Sequence, residues 1–193
     1  MASGAGGAVK KIPTLFVRDP ENRARVLPEF AVDLPVDAVA TGKFDGTCVM
    51  LDADGRWWAR REVKPGKTPP EGFVPISTDE VTGKIMGWEP AEQSGFWKFL
   101  EEALVEQTEF DATRVPNTYE LIGPRVNGNP HGLDEHVLVQ HGMVDDYMDG
   151  PVTFESVQER LVTATLEGIV WWSGGKPVAK IKRRDFGLPW PIQ

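Results

Sequence analysis

Cysteine is almost absent from this chain, and so are the features that mark secreted, membrane and nucleic-acid-coating proteins. One cysteine, Cys48, among 193 residues excludes an internal disulfide framework and fits a reducing compartment. It sits in the apolar run Thr47-Cys48-Val49-Met50-Leu51, where a packed thiol is expected rather than a reactive one. No apolar stretch is long enough to span a membrane and no signal-peptide pattern opens the sequence, so the expected location is cytoplasmic. Net charge is −8, the wrong sign for a protein that coats nucleic acid without specificity, although an enzyme with a local basic groove stays open. There is no internal repeat and no low-complexity block beyond the first few residues.

What is present describes an ordinary globular chain. Apolar residues make up 40% and charged residues 26%, enough for one domain with a sizeable core. Tryptophan is abundant at seven, with pairs at Trp57-Trp58 and Trp171-Trp172, which suits strands packed on both faces of a sheet. The Gly- and Ala-rich start is expected to fray, giving a flexible tail over residues 1–11 and one domain over 12–193.

The pattern of apolar residues predicts an α+β fold dominated by antiparallel strands. Strands are expected over residues 12–17, 38–41 and 47–53. Asp54-Gly55 should turn the last of these into a partner over residues 56–63. Residues 64–70, Lys-Pro-Gly-Lys-Thr-Pro-Pro, read as a mobile loop. A helix is expected over residues 91–105, with Phe96, Phe99, Leu100, Ala103 and Leu104 on one face. Strands follow at 118–122 and 137–140, separated by a polar Gly/Pro-rich loop over 126–134. A helix over 154–162 uses Val157, Leu161 and Val162 as apolar contacts. A last hairpin joins 166–172 to 176–183 across Ser173-Gly174-Gly175.

Charges inside strands need a reason. Lys43-Phe44-Asp45-Gly46 lies at the joint of two strands, where a lysine can project from a fixed backbone. A lysine nucleophile needs desolvation or nearby cations to leave part of it uncharged. Taken alone, the tetrapeptide is most often a solvated turn. Arg60 and Arg61 end the paired strand, and alternation sends them to opposite faces. Glu120 stands in Thr118-Tyr119-Glu120-Leu121-Ile122-Gly123, on a solvated face or in a cleft. Glu167 precedes Gly168, which permits close approach of a ligand or metal. Lys180 and Lys182 are two apart and share a strand face. Such a pair repels itself unless an anion such as phosphate lies over it.

In this order, with Glu167 thirteen residues before Lys180 (180 − 167), the set resembles the covalent nucleotidyltransferase superfamily of polynucleotide ligases and mRNA capping enzymes. Lys43–Gly46 matches its motif I, Tyr119-Glu120 motif III, Glu167-Gly168 motif IV and Lys180-x-Lys182 motif V. The stretches Leu121-Ile122-Gly123-Pro124, Val126-Asn127-Gly128-Asn129-Pro130-His131-Gly132-Leu133 and Leu138-Val139-Gln140-His141-Gly142 look like the ATP-dependent 5′-to-3′ RNA ligases also found in vertebrates. Thr41-Gly42-Lys43-Phe44-Asp45-Gly46-Thr47-Cys48 agrees with their nucleophile segment.

The resemblance implies a nucleotidyltransferase domain (an ATP-grasp-like ligase adenylation domain). Ligases of this superfamily append an OB-fold or helical domain after motif V. Here eleven residues follow Lys182 (193 − 182), and no OB-fold or other C-terminal domain is expected. The implied activity joins RNA 5′-phosphate and 3′-hydroxyl ends, with ATP as co-substrate and Mg²⁺ or Mn²⁺ as cofactor. Lys43 would carry AMP, and Lys180 and Lys182 would hold the α-phosphate and leaving pyrophosphate. Glu167 would lie near the metal, Glu120 would bind the ribose hydroxyls, and Arg60 in preference to Arg61 would contact ribose or phosphate. Asp45 would orient the lysine loop, and Thr41 and Gly42 would line the adenine pocket. His131, His141 and Arg183 would face the RNA end, with room for a protein partner that supplies grip. The alternatives are a DNA ligase or GTP-using guanylyltransferase, an enzyme that transfers AMP to a protein or small molecule, and an inactive nucleotide-binding module.

Overall fold

A computed structural model describes residues 11–106, 114–143, 147, 148 and 150–192. Ten of the eleven residues expected as a flexible tail, 1–10, lie outside the described residues. The chain forms two compact units. One takes in Gly46–Gly128 and Leu133–His141, and the other Ile12–Asp45, Asn129–Gly132 and the chain from Gly142 onward. The described residues are mostly antiparallel sheet with two α-helices, an α+β architecture. Among the described residues no helix is long and apolar enough to cross a membrane.

The first unit is a six-stranded antiparallel sheet. Its strands are β4 (Thr47–Leu51), β5 (Trp57–Val63), β6 (Val74–Thr78), β7 (Ile85–Pro90), β8 (Asn117–Ile122) and β9 (Val137–Gln140), in the order β6-β7-β5-β4-β8-β9. Helix α1 (Trp97–Glu106) buries Leu100 and Ala103 with Val49, Tyr119, Leu121 and Leu138 of the sheet. Those sheet residues share one face by register: Val49 lies opposite Tyr119, and Leu121 opposite Leu138. The helix starts at Trp97 rather than at residue 91. Residues Ala91–Gln93 form a single 3-10 turn instead, and Ser94-Gly95 behind it favours non-helical backbone. The β4–β5 connection is longer than a two-residue turn. Asp52 accepts from the N–H groups of Asp54 and Arg56, both at 2.9 Å, and from Trp58 Nε1 at 2.8 Å. These bonds hold its carboxyl below the usual range, the Trp58 bond first among them.

The second unit holds a two-stranded ribbon, β1 (Phe16–Arg18) with β2 (Val26–Phe30), and a three-stranded antiparallel sheet of β3 (Val39–Lys43), β10 (Gly168–Ser173) and β11 (Lys176–Lys182), in the order β11-β10-β3. Helix α2 (Phe154–Thr163) starts at Thr153, whose Oγ1 accepts from Ser156 N–H at 3.1 Å while Ser156 Oγ accepts from Thr153 N–H. This reciprocal cap satisfies two donors that a helix start leaves open. Val157 and Leu161 enter the core with Leu15, Phe16, Ile169, Trp171, Ala179 and Ile181. Val162, expected among them, is 56% exposed; it follows Leu161 by one residue, about 100° around the helix.

Candidate functional site

Period-2 alternation divides the three-stranded sheet into a core face and an open face. Ala40, Ile169, Trp171, Ala179 and Ile181 lie on the core face. The register puts Lys43 and Lys182 on either side of Gly168, and Thr41 and Lys180 on either side of Val170. All four named polar residues therefore share the face opposite the core. Gly168 carries no side chain because a Cβ there would run into the Ile181 carbonyl.

A buried carboxylate joins the two lysines of the first rung. Glu167, whose side chain is 2% exposed, accepts from Lys43 Nζ at 2.5 Å through Oε2 and from Lys182 Nζ through Oε1. Arg184 Nη2 adds a third cation, 3.3 Å from Oε1. Burial works to raise the Glu167 pKa, but the charges and hydrogen bonds of Lys43 and Lys182 outweigh it, and the carboxyl is held below its ordinary value. It is an ionised anion in a cationic ring. Lys180 stands one rung along the same face, with its backbone bonded to Pro13 and Leu15.

The segment after Lys43 is braced. Asp45 Oδ2 accepts from Trp190 Nε1 at 2.8 Å, and the Asp45 N–H donates to His131 Nε2 at 2.9 Å. The His131 ring lies 5.4 Å from that of Phe44 and 5.3 Å from that of Trp190. His131 thus spends one ring nitrogen on the Asp45 backbone. Thr41, 7% exposed, accepts from Trp172 Nε1 at 3.0 Å and donates to the Val170 carbonyl at 3.3 Å. A Cβ on Gly42 would strike the Leu166 side chain.

Arg183 does not reach a surface where RNA could meet it. It is 4% exposed. Its guanidinium donates to the carbonyls of Leu161, Ala164 at 2.8 Å and Pro189 at 2.9 Å. It closes the C-terminal end of α2, where helix carbonyls lack internal partners. Arg184, next in sequence, is the residue that faces the site. The turn Arg183–Phe186 places it there, held by Asp185, which accepts from the Lys182 N–H at 2.8 Å and pairs with Arg18 at 2.9 Å.

The six-stranded sheet carries a second cluster, on its face away from α1. Cys48 lies opposite Glu120 in the β4–β8 register. Glu120 Oε1 accepts from the Gly46 N–H at 3.0 Å, and Oε2 lies 3.0 Å from His141 Nε2. His141 Nδ1 is 2.9 Å from Thr118 Oγ1. A Cβ on Gly46 would run into the Leu121 carbonyl, so only glycine can bring its N–H to Glu120. Arg60 has the parity of Trp58, which pairs with Met50, so it shares the face of Cys48 and Glu120. Its Nε is buried and has no hydrogen-bond partner among the described residues. Arg61 is on the other face, 3.8 Å from Glu89.

Sequence order therefore names Lys43, Glu167 and Lys182, which meet, and Glu120 and His141, which meet in the other unit. Arg184 and Trp190 were missed as partners. The basic run 182–184 was the available signal for the first; a tryptophan 145 positions from Asp45 gave none.

Comparison with known proteins follows the same line. A protein-family model described as RNA ligase 1 matches residues 100–193. RNA ligase 1 of Mus musculus is 26% identical over 97% of this chain and 83% of the mouse protein. RNA ligase 1 of Danio rerio is 37% identical over 42% of this chain and 27% of the zebrafish protein. RNA ligase 1 of Pongo abelii is 28% identical over 70% of this chain and 53% of that protein. The family match takes in Glu120, Glu167 and Lys182, and the mouse alignment extends the likeness to RNA ligase 1 over nearly the whole sequence.

Proposed function

We propose that this protein is an ATP-dependent RNA ligase that joins 5′-phosphate and 3′-hydroxyl ends through a lysyl-AMP intermediate on Lys43. The observation that carries the proposal is the buried Glu167 carboxylate held between the ammonium groups of Lys43 and Lys182. One of those lysines ends a strand and is followed by a braced loop, as a covalent nucleophile requires. The other faces it across Gly168 and would meet phosphate charge.

Lys43 Nζ attacks the α-phosphorus of ATP. The N–P bond forms, the α–β phosphoanhydride bond breaks, and pyrophosphate leaves. An oxygen of the RNA 5′-phosphate then attacks the same phosphorus. The P–N bond breaks and the amine is restored. Finally the 3′-hydroxyl attacks the activated 5′-phosphate and AMP departs. Every step gathers negative charge on phosphate oxygens, which preorganised cations stabilise. Lys182 and Lys180 supply that charge from one strand face.

The ion pair also sets the resting state. While Lys43 Nζ donates to Glu167, it is turned toward the carboxylate, so the attack requires this contact to open. A hard divalent cation fits the donor chemistry at Glu167. The group is an ionised oxygen ligand, and Mg²⁺ is usually bound by one or two carboxylates together with substrate phosphates. Glu167 would hold the ion, which supplies charge neutralisation at the phosphates when bound. Glu120 would take the ribose hydroxyls, Arg60 the ribose or phosphate, and Thr41 and Gly42 the adenine side. His131 and His141 would serve the RNA end only as far as their present bonds allow. Asp45 and Trp190 would hold the loop that presents the nucleophile.

Sealing of a nicked RNA duplex bearing 5′-phosphate and 3′-hydroxyl ends, with ATP and Mg²⁺, tests this directly. Joined RNA is expected. Joining of DNA alone, or joining with GTP and not ATP, would replace the proposal.

A further inference from the structure

The cluster on the six-stranded sheet has a chemistry that phosphoryl transfer does not need: a thiol. We propose that Cys48, Glu120 and His141 form a binding site for a thiophilic divalent cation of the Zn²⁺ type. Their ligand atoms (Sγ, one carboxylate oxygen and one imidazole nitrogen) all lie within 4.8 Å of one another. They come from adjacent strands, with Cys48 and Glu120 directly paired and His141 immediately after β9. A tetrahedral zinc with bonds of about 2.0–2.3 Å has ligand atoms roughly 3.5 Å apart. The widest pair must close by about an ångström and the Glu120–His141 pair, 3.0 Å apart, must open slightly to reach that spacing, both within reach of side-chain rotation.

The surroundings match a metal site. A His ligand usually makes a bond through its second ring nitrogen that fixes its tautomer, and His141 Nδ1 sits 2.9 Å from Thr118 Oγ1. That leaves Nε2 directed at Glu120 Oε2, 3.0 Å away, with the cation entering between them. Glu120 Oε1 is fixed by the Gly46 N–H, so Oε2 is the ligand. All three residues are partly exposed, giving the ion a way in and a fourth position for water. Sulfur with imidazole selects zinc-like ions over Mg²⁺. Binding requires the Cys48 thiolate and so releases a proton.

A consequence rests on the reading of Glu120 as the ribose ligand: with Oε2 on a metal and Oε1 on the Gly46 N–H, fewer acceptor sites remain for a ribose hydroxyl, so zinc and ATP compete.

The test is titration of the full-length protein with Co²⁺, followed by Zn²⁺. One equivalent of cobalt should give a thiolate-to-metal charge-transfer band that Zn²⁺ then bleaches. Cys48→Ser should lose the band, and Thr118→Val should weaken binding about tenfold. Zn²⁺ should raise the melting temperature of the wild type and not that of folded Cys48→Ser. Absence of the band in the wild type, or its persistence in Cys48→Ser, overturns the site. In a second arm, Zn²⁺ should suppress AMP transfer to the wild type and spare Cys48→Ser. Stoichiometric zinc with undiminished transfer supports the metal site and overturns the ribose role of Glu120 instead.

Discussion

Replacing Glu167 by glutamine keeps the shape of the site and removes its only buried negative charge among the described contacts of Lys43, Lys182 and Arg184. Glu167 is 2% exposed at the side chain, whereas Lys43, Lys182 and Arg184 are 21%, 25% and 64% exposed. Removing one partner of a fully buried pair costs about 3–5 kcal/mol. Here the cations can turn partly to water, which lowers the expected cost to roughly 1–3 kcal/mol. In a protein of this size that is a fall in Tm of about 2–12 °C. The pH dependence has a definite sign. The folded-state pKa lies below the ordinary value of 4.5. The stabilisation is therefore complete above that value and is lost as pH falls through the folded pKa. Differential scanning calorimetry of wild type and Glu167→Gln should show a constant gap at neutral and mildly acidic pH, and a shrinking gap below 4.5. Equal melting at pH 7, or a gap that widens on acidification, would refute the ion-pair reasoning.

Three further substitutions separate charge from scaffolding. Lys182→Met should lower the rate of AMP transfer about 10²–10³-fold, the usual cost of losing one preorganised donor at a developing oxyanion; because it also leaves the buried Glu167 with one cation fewer, rapid-quench labelling reads the rate well below the melting point of either protein. Trp190→Phe removes the donor to Asp45 and costs about 1.5–3 kcal/mol of bracing, so transfer should slow while ATP affinity measured by calorimetry holds. Arg183→Met strands the buried carbonyls of Leu161 and Ala164 and removes the bond to the exposed Pro189, and should lower Tm by several degrees, roughly 2–4 kcal/mol; an unchanged Tm would deny its role at the end of α2.

Local pattern revealed the strands whose residues alternate or whose turns are marked. Strand β9 falls on its expected bounds, and Ser173-Gly174-Gly175 marks the turn between β10 and β11. The strands β2, β6 and β7 were missed because their sequences carry breakers: Pro28 within β2, Pro75 within β6, and Gly87 with Glu89 within β7. A proline is tolerated where no ladder N–H is needed. β2 and β6 are such strands, each at the edge of its sheet. In β7 the buried run Gly87-Trp88-Glu89 has no alternation to read.

The site divides in the same way. Lys43, Glu167 and Lys182 were legible because a short motif order implies strand neighbours, and the register of β3, β10 and β11 then brings Lys43 and Lys182 to one rung. The resemblance turned Arg183 toward the RNA end, whereas the structure buries its side chain. The chain turns into a 3-10 segment at Arg183, which sends that side chain inward and Arg184 toward Glu167. The Asp45–Trp190 bond depends on long-range packing and leaves no local trace.

The most direct measurement is mass spectrometry of the intact and digested protein after incubation with ATP and Mg²⁺. A single AMP adduct on the peptide containing Lys43, released by pyrophosphate and absent from a folded Lys43→Ala variant, is the predicted result. No adduct, or an adduct on another residue that persists in Lys43→Ala, would contradict the covalent role of Lys43.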